Sequence, residues 1–158
     1  MPWAGKTTIS KALSARLNYE FIDLDHEVEK ATNMNLVDVM KEKGPGYFRT
    51  MGYNFLVKLK PESSVVISPA GSVIFHEPSM QWIQDNSFII FLNTPFEIIE
   101  QRSKLEDKAV ANLKERGLKS IWDERIPIYT KFAEAIINLE NKNVGEIVDE
   151  IIAIINSK

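Results

Sequence analysis

Four residues near the start of the chain have the types and the order needed to bind phosphate. Gly5, Lys6, Thr7 and Thr8 match the second half of the motif G-x-x-x-x-G-K-[ST], whose backbone N–H groups turn towards phosphate oxygens. In that motif the lysine brings a positive charge to the outer phosphates, and the hydroxyl after it ligates Mg²⁺. Because a predicted helix begins here and its N-terminus favours anions, we interpret the four residues as a phosphate site. The alternative is a glycine turn followed by a solvated lysine and a threonine cap.

Only the second half of this motif is present. Its first glycine would fall one residue before Met1, and the strand that leads into it would lie before Met1 as well. Trp3 also stands where such a loop usually has a small residue. We therefore expect that a short apolar strand and a glycine precede Met1 in the natural protein.

Two carboxylates stand at the end of a predicted strand. Asp23 and Asp25 are separated by one residue, so their side chains leave the backbone in similar directions. One of them could hold Mg²⁺ through water, and the other could accept a hydrogen bond or a proton from an attacking hydroxyl. The alternative for Asp25 is a cap on the helix that follows.

Two arginines and a turn of small residues complete the set. Arg49 and Arg125 each carry a guanidinium group able to bind a carboxylate through two hydrogen bonds, although single arginines are more often surface ion pairs. The turn at 69–72, which contains Gly71, ends a buried strand, where ligands of open α/β sheets usually bind. Its alternative is a plain strand-ending turn, and the lone His26 and His76 are assigned no role.

The elements that must position these residues alternate along the chain. The segment 19–24, which ends in carboxylates, and the largely apolar segments 64–68, 88–93 and 136–139 predict strands. Helical spacing follows Gly5 and recurs at about 25–31, 36–43, 47–60, 121–135 and after the cap Asn143, and Thr94-Pro95-Phe96-Glu97 predicts a helix start capped by Thr94. Gly44-Pro45-Gly46 is expected to interrupt the helical pattern. Apolar strands separated by amphipathic helices indicate an α/β fold with a parallel sheet.

Composition narrows the class of protein. The chain has 158 residues, a net charge of −3, a sequence pI near 5.5 and no cysteine. These values argue against nucleic acid as a partner and exclude disulfides and thiolate metal sites. No apolar run reaches the roughly 18 residues of a membrane helix, so we expect a cytoplasmic protein without a membrane partner, either a monomer or a weak homodimer.

The order of these motifs resembles that of shikimate kinases, within the group of P-loop kinases related to nucleoside monophosphate kinases. The resemblance spans essentially the whole chain and rests on joint order and spacing, because each motif alone is modest. The motifs are Gly5 through Thr8, Phe21 through Asp25, Gly44 through Arg49, Val66 through Ser72 and Arg125 through Tyr129.

The resemblance implies a five-stranded parallel sheet flanked by helices, with the first, central strand apparently missing from the chain. It implies one domain over 1–158, with substrate-binding helices at about 26–60 and a lid at about 104–117. The implied reaction transfers the γ-phosphoryl group of MgATP to a small anionic polyol, most simply shikimate, in the pathway of aromatic amino acid biosynthesis.

The resemblance also implies roles for single residues. Lys6 would contact the β- and γ-phosphates, Thr7 would ligate Mg²⁺, Asp23 would support the metal through water, and Asp25 would hold or deprotonate the acceptor hydroxyl. The resemblance further implies that Arg49 and Arg125 bind the carboxylate of the acceptor, aided by the backbone near Gly71. It implies that Arg102 packs on adenine and that Lys108 is the cation of the lid, with Arg116 as a second, less favoured candidate.

Four departures from the family's pattern leave alternatives open, and one of them is that the family's lid arginine has no clear counterpart, Lys108 being the nearest residue. Trp3 replaces a glycine of the phosphate loop, Gly52 replaces the glutamate three residues after Arg49, and the turn reads Ala70-Gly71-Ser72 instead of three glycines. The alternatives are a kinase for another acceptor, such as a gluconate-like sugar acid or a nucleoside monophosphate, and a non-catalytic nucleotide-binding module of the same fold.

Overall fold

A computed structural model describes residues 1–60, 64–106 and 108–157. The described strands are β1 (Glu20–Asp23), β2 (Val65–Ser68), β3 (Ile90–Asn93) and β4 (Ala135–Asn138). Helices α1 to α9 cover Lys6–Leu17, Leu24–Thr32, Leu36–Glu42, Gly44–Leu56, Glu77–Asn86, Phe96–Ser103, Leu113–Arg116, Leu118–Phe132 and Val144–Asn156, and Val73–Phe75 forms a 3-10 turn. The predicted alternation of helices with parallel strands is confirmed.

The strands form two separate parallel pairs. β1 pairs with β2 in the register Glu20 to Val65, and β3 pairs with β4 in the register Ile90 to Ala135. The prediction of one five-stranded sheet is therefore wrong, because the described residues give four strands in two sheets. A cavity of about 140 Å³ lies between the pairs and is lined by Ile67 of β2 and Phe91 of β3. Within the described chain no strand joins these two edges, which is why the sheet is divided.

Helices on both faces of the strands supply the core. On one face, buried side chains of α1 and α9 such as Leu13 and Ile151 pack with Val66 and Leu92, which come from different strand pairs. On the other face, Leu56 of α4 packs against Ile22, Val65 and Ile67 together with side chains of α5. Side chains that alternate between two covered faces explain why the middle residues of each strand are apolar.

Helix ends differ from the prediction in three places. Gly44-Pro45-Gly46 begins α4 instead of interrupting the helix, because proline is compatible with a first helical turn. Thr94 does not cap α6, since its buried hydroxyl donates to the Ala4 carbonyl at 3.1 Å. The helix α5 was not predicted, and its cap is the ring of His76, which accepts from the Ser79 N–H.

Of the other expected helix caps, Asn143 is confirmed and the alternative cap Asp25 is wrong. Asn143 caps α9 in a reciprocal capping box with Glu146. Asp23, and not Asp25, caps α2 by accepting from the Asp25 N–H at 3.1 Å. The expected lid at 104–117 contains α7, while position 107 lies outside the described residues. Among the described helices, none has the length and apolar character needed to cross a bilayer.

Candidate active site

The loop before α1 presents backbone N–H groups to an open space. Gly5 adopts a φ of 85°, which glycine tolerates best, and it turns the chain into α1. No described side chain caps this helix end, so the first N–H groups of α1 remain free to bind an anion. This local geometry is the one that the glycine and the following polar residues predict.

A cavity of about 310 Å³ opens over this helix end. Its lining combines the phosphate loop with the segment after α6, and consists of Trp3, Ala4, Gly5, Lys6, Thr7, Thr8, Arg102, Leu105, Glu106 and Lys108. Three of these side chains are cationic and one is acidic. The cavity therefore has the size and the charge to receive phosphate groups.

Lys6 supplies the central charge of this cavity. Its Nζ donates to the Met1 carbonyl at 3.2 Å, and among the described residues it forms no ion pair. Burial lowers the pKa of Lys6, and the positive charge of Lys108 adds to that effect, while Asp25 opposes it. A partly desolvated ammonium without a carboxylate partner is suited to bind a phosphate oxygen.

Thr7 and Asp23 form a pair of oxygen donors beside the cavity. The Thr7 hydroxyl donates to Asp23 Oδ2 at 2.9 Å, while Asp23 Oδ1 holds the start of α2. Mg²⁺ prefers oxygen ligands and commonly takes one or two from the protein and the rest from phosphates and water. These two residues fit such an ion, and the described residues contain no group of three or more carboxylate or imidazole ligands.

Asp25 is the carboxyl group with the most perturbed environment. Its Oδ1 is buried and has no hydrogen-bond partner among the described residues. Burial raises the pKa of Asp25 to about 6, although the positive charge of Lys6 acts against this rise. A buried oxygen without a partner, with a pKa close to neutrality, can accept a proton from a bound hydroxyl.

Arg125, Tyr129 and Gly71 form a second, largely buried group. The Tyr129 hydroxyl donates to the Gly71 carbonyl at 2.6 Å, and burial raises the pKa of Tyr129 to about 12. Arg125 is 4% exposed, and its Nε has no hydrogen-bond partner among the described residues. A buried guanidinium with a free N–H is suited to bind a ligand carboxylate.

Arg49 acts through its charge on His76, which follows the short Val73–Phe75 turn. Its charge contributes to lowering the pKa of His76, an effect due first to burial, and Arg125 lies 5.5 Å from the centre of the Phe75 ring. The two arginines therefore flank the same short segment. No hydrogen bond or ion pair joins Arg49 to another site residue within the described part of the chain, so its part in a carboxylate clamp stays a prediction.

Of the remaining predicted residues, Lys108 and Arg102 line the cavity. Lys108 lines it and forms an ion pair with Glu106 at 3.3 Å, whereas Arg116 pairs with Glu124 at 2.9 Å on α8. Arg102 donates from Nη1 to the Trp3 carbonyl at 3.0 Å. That contact places Arg102 against the phosphate loop, and its packing on adenine stays a prediction.

Three residues of this region were missed as site residues. Tyr129 stands four positions after Arg125 on α8, a spacing that could have indicated a shared helix face. The Thr94 hydroxyl donates to the Ala4 carbonyl, 90 positions away in the sequence. The Trp3 indole N–H donates to the Glu106 carbonyl, which is 103 positions away. No local pattern reports such distant partners.

The charges of Asp25, Lys108, Asp23 and Arg125 all act on the pKa of Lys6, after the larger effect of burial. The candidate phosphate-binding groups and a carboxyl with a raised pKa therefore share one region at the carboxyl ends of β1 and β2. A parallel α/β fold with this arrangement defines a phosphotransferase of the P-loop kinase class.

Comparison with known proteins identifies the family. The family model for shikimate kinase matches residues 2–156. The shikimate kinase of Persephonella marina is 31% identical over 94% of this chain and 91% of its own length. The structure of Acinetobacter baumannii shikimate kinase in complex with shikimate superposes with a TM-score of 0.86 at 26% identity, and the match covers 98% of this chain and 88% of that one. The structure of Aquifex aeolicus shikimate kinase superposes with a TM-score of 0.81 at 29% identity, and the match covers 99% of this chain and 92% of that one.

The chain belongs to the shikimate kinase family. Members of this family are ATP-dependent phosphotransferases with an alcohol group as acceptor, and they use ATP and Mg²⁺. The predicted reaction class and cofactors are thereby confirmed.

Proposed function

We propose that this protein transfers the γ-phosphoryl group of MgATP to a hydroxyl group of shikimate. The observation that carries the proposal is the cavity over the start of α1, lined by Lys6, together with the buried Oδ1 of Asp25 just after β1, which has no hydrogen-bond partner among the described residues. Membership of the family and the similarity to a relative solved with shikimate support the choice of acceptor.

On the donor side, the residues of the loop bind and orient. The N–H groups at the start of α1 and the Lys6 ammonium bind the β- and γ-phosphates, since Lys6 forms no ion pair among the described residues. Thr7 and Asp23 would hold Mg²⁺, which when bound neutralises charge on the phosphate oxygens. Lys108 adds a positive charge from the segment that we propose as the lid, 104–117.

On the acceptor side, Asp25 accepts the proton of the attacking hydroxyl. The hydroxyl oxygen forms its bond to the γ-phosphorus while the bond from that phosphorus to the β–γ bridging oxygen breaks, and ADP leaves. Arg125 and Arg49 bind the carboxylate of the acceptor, and the backbone at Gly71 borders the same space. Catalysis then comes from positioning and charge stabilisation.

ADP release measured with shikimate, gluconate and a nucleoside monophosphate tests the proposal. Of these three acceptors, we expect only shikimate to support turnover. We expect Lys6→Ala to lower the turnover rate with shikimate by a factor on the order of a hundred or more. Lys11→Ala is the matched control, because Lys11 is exposed on the same helix. Turnover with another acceptor only, or ATP binding without turnover, would replace this proposal by one of the alternatives stated from the sequence.

We further propose that the chain acts as one domain in the cytoplasm, as a monomer or a weak homodimer. Its net charge of −3 supports the view that nucleic acid is not a partner. Sedimentation at several protein concentrations tests the oligomeric state, and a stable higher oligomer would contradict it.

A further inference from the structure

Trp3 holds an unusual position in the phosphate loop. Its φ of 57° lies in the left-handed region, which is unfavourable for a residue with a Cβ atom. The side chain is nevertheless 5% exposed and packs with Met1, Ala4, Ile99 and Ile121. A strained backbone at a functional loop is retained when surrounding contacts fix it.

Two hydrogen bonds connect Trp3 to the far side of the cavity. The indole N–H donates to the Glu106 carbonyl at 2.8 Å, and the Trp3 carbonyl accepts from Arg102 at 3.0 Å. Val110 and Leu113, which follow Glu106, pack against the same apolar cluster. The phosphate loop is thus attached to the segment that contains Lys108.

Lys108 depends on this attachment for its place. It lies two positions after Glu106, forms an ion pair with the Glu106 side chain at 3.3 Å and lines the cavity with Trp3. Its charge reaches both Lys6 and Asp25, contributing to a lower pKa in each case, although burial is the larger influence on both groups.

We propose that Trp3 is a positioning residue that fixes the Glu106 backbone and thereby places the Lys108 ammonium beside the transferred phosphoryl group. This role rests on the proposed kinase function. It assigns a purpose to a bulky residue where the phosphate loop usually has glycine, because a glycine there could not donate a side-chain hydrogen bond. Loss of the indole N–H is expected to displace Lys108 while leaving the acceptor site unchanged.

Trp3→Phe removes the N–H donor and keeps most of the apolar ring. We expect kcat to fall on the order of fivefold, as for the loss of one neutral hydrogen bond, with the KM for shikimate unchanged. Trp122→Phe is the matched control, because the Trp122 ring packs against the same cluster while its Nε1 has no hydrogen-bond partner among the described residues. Equal kcat values in the two variants would overturn the proposal.

Lys108→Met shows whether Trp3 acts through Lys108. Methionine keeps the length of the side chain without its charge, so Trp3→Phe should have no further effect on kcat when combined with Lys108→Met. If Trp3→Phe lowers kcat by the same factor in both backgrounds, its effect is a general structural one and the positioning role is wrong.

Amide hydrogen exchange gives a readout that does not depend on turnover. We expect faster exchange at residues 108–113 in Trp3→Phe than in Trp122→Phe, because the former alone loses its hydrogen bond to Glu106. Equal exchange in the two variants would overturn the role of Trp3. Lack of turnover by the unmodified protein would instead overturn the proposed function, so the two failures are distinguishable.

Discussion

At the scale of single residues, Asp25 is a carboxyl group whose acidity is changed by burial. Its pKa is raised to about 6, mainly by burial, and its Oδ1 has no hydrogen-bond partner among the described residues. A carboxyl with this pKa is largely ionised near neutral pH and is still a much better proton acceptor than an exposed aspartate. This environment favours the role of base over the role of metal ligand.

The first prediction concerns the pH dependence of the reaction. Because Asp25 must be ionised to accept a proton, kcat/KM for shikimate should rise with pH and level off above about pH 6, reporting the pKa of the free enzyme. Asp25→Asn should lower kcat/KM by a factor of roughly a hundred or more while nucleotide affinity is largely retained. Steady-state kinetics between about pH 5 and 8 provide the measurement, and a flat profile would contradict the assignment.

Residue types allowed part of the site to be predicted. Lys6, Thr7, Asp23 and Asp25 were selected from short-range spacing, and the structure brings them together because the start of α1 and the end of β1 meet at one edge. For Trp3, the sequence shows only that the residue departs from the family's pattern. Its partner at Glu106 is 103 positions away, and no sequence spacing indicates a contact at that distance.

At the scale of elements, helix α8 and the turn after β2 form a closely packed contact. Tyr129 of α8 donates to the Gly71 carbonyl at 2.6 Å. A Cβ atom at Gly71 would lie 3.2 Å from Pro2 Cδ and 3.3 Å from the Tyr129 hydroxyl. The glycine is needed here for close approach and not for an unusual φ, which makes its replacement informative.

We predict that Gly71→Ala raises the KM for shikimate by about tenfold, since crowding of 1–3 kcal/mol would push Tyr129 and Arg125 away from the turn. Gly52→Ala is the matched control, because a Cβ atom at Gly52 of α4 meets nothing within 4 Å among the described residues. Alanine in a helix interior is favoured by about 0.5–1 kcal/mol, so this control should keep its activity and gain slight stability. A normal KM in Gly71→Ala would show that the turn does not border the acceptor.

Most elements were predictable because their signals are local. The four strands lie within two residues of the predicted limits, and the Asn143 cap is as predicted. Thr94 was misassigned because its hydroxyl donates to Ala4, a partner 90 positions away that competes with the local cap. The helix α5 was not predicted because its N-cap is His76, and histidine is an uncommon residue at a helix N-cap.

At the scale of the whole molecule, the fold class could be predicted from the sequence, but the division of the sheet into two pairs of strands could not. An α/β class followed from apolar strands between amphipathic helices, but the number and grouping of strands depend on which edges pair. Here the edges of β2 and β3 face a cavity of about 140 Å³. The packing of α1 and α9 across both pairs still holds them together, with Val66 and Leu92 in one cluster.

The burial of Asp25 should make the free energy of unfolding of the whole protein depend on pH. Its pKa is raised in the folded state, from 3.8 to about 6, so the folded protein binds the proton more tightly than the unfolded chain. The contribution of this group to the free energy of unfolding is therefore fully present below about pH 4 and is lost as pH rises to about 6. A shift of about two pKa units corresponds to roughly 3 kcal/mol.

Asp25→Asn, which cannot ionise, should consequently gain stability relative to the unmodified protein at neutral pH and show little difference near pH 4. We expect a gain on the order of 1–3 kcal/mol at about pH 7, measured by urea denaturation at both pH values. The difference between the two proteins isolates Asp25 from the other carboxyl groups. Equal differences at both pH values would show that the pKa of Asp25 is not raised.

The central claim is that one site joins a phosphate cavity to a basic carboxyl and so phosphorylates a hydroxylated acid. Phosphorus NMR of the unmodified protein with MgATP and shikimate tests it most directly. The account predicts a new phosphomonoester signal that grows in equal amount with ADP and is absent with Lys6→Ala. ADP formed together with inorganic phosphate only, or no ADP at all, would contradict it.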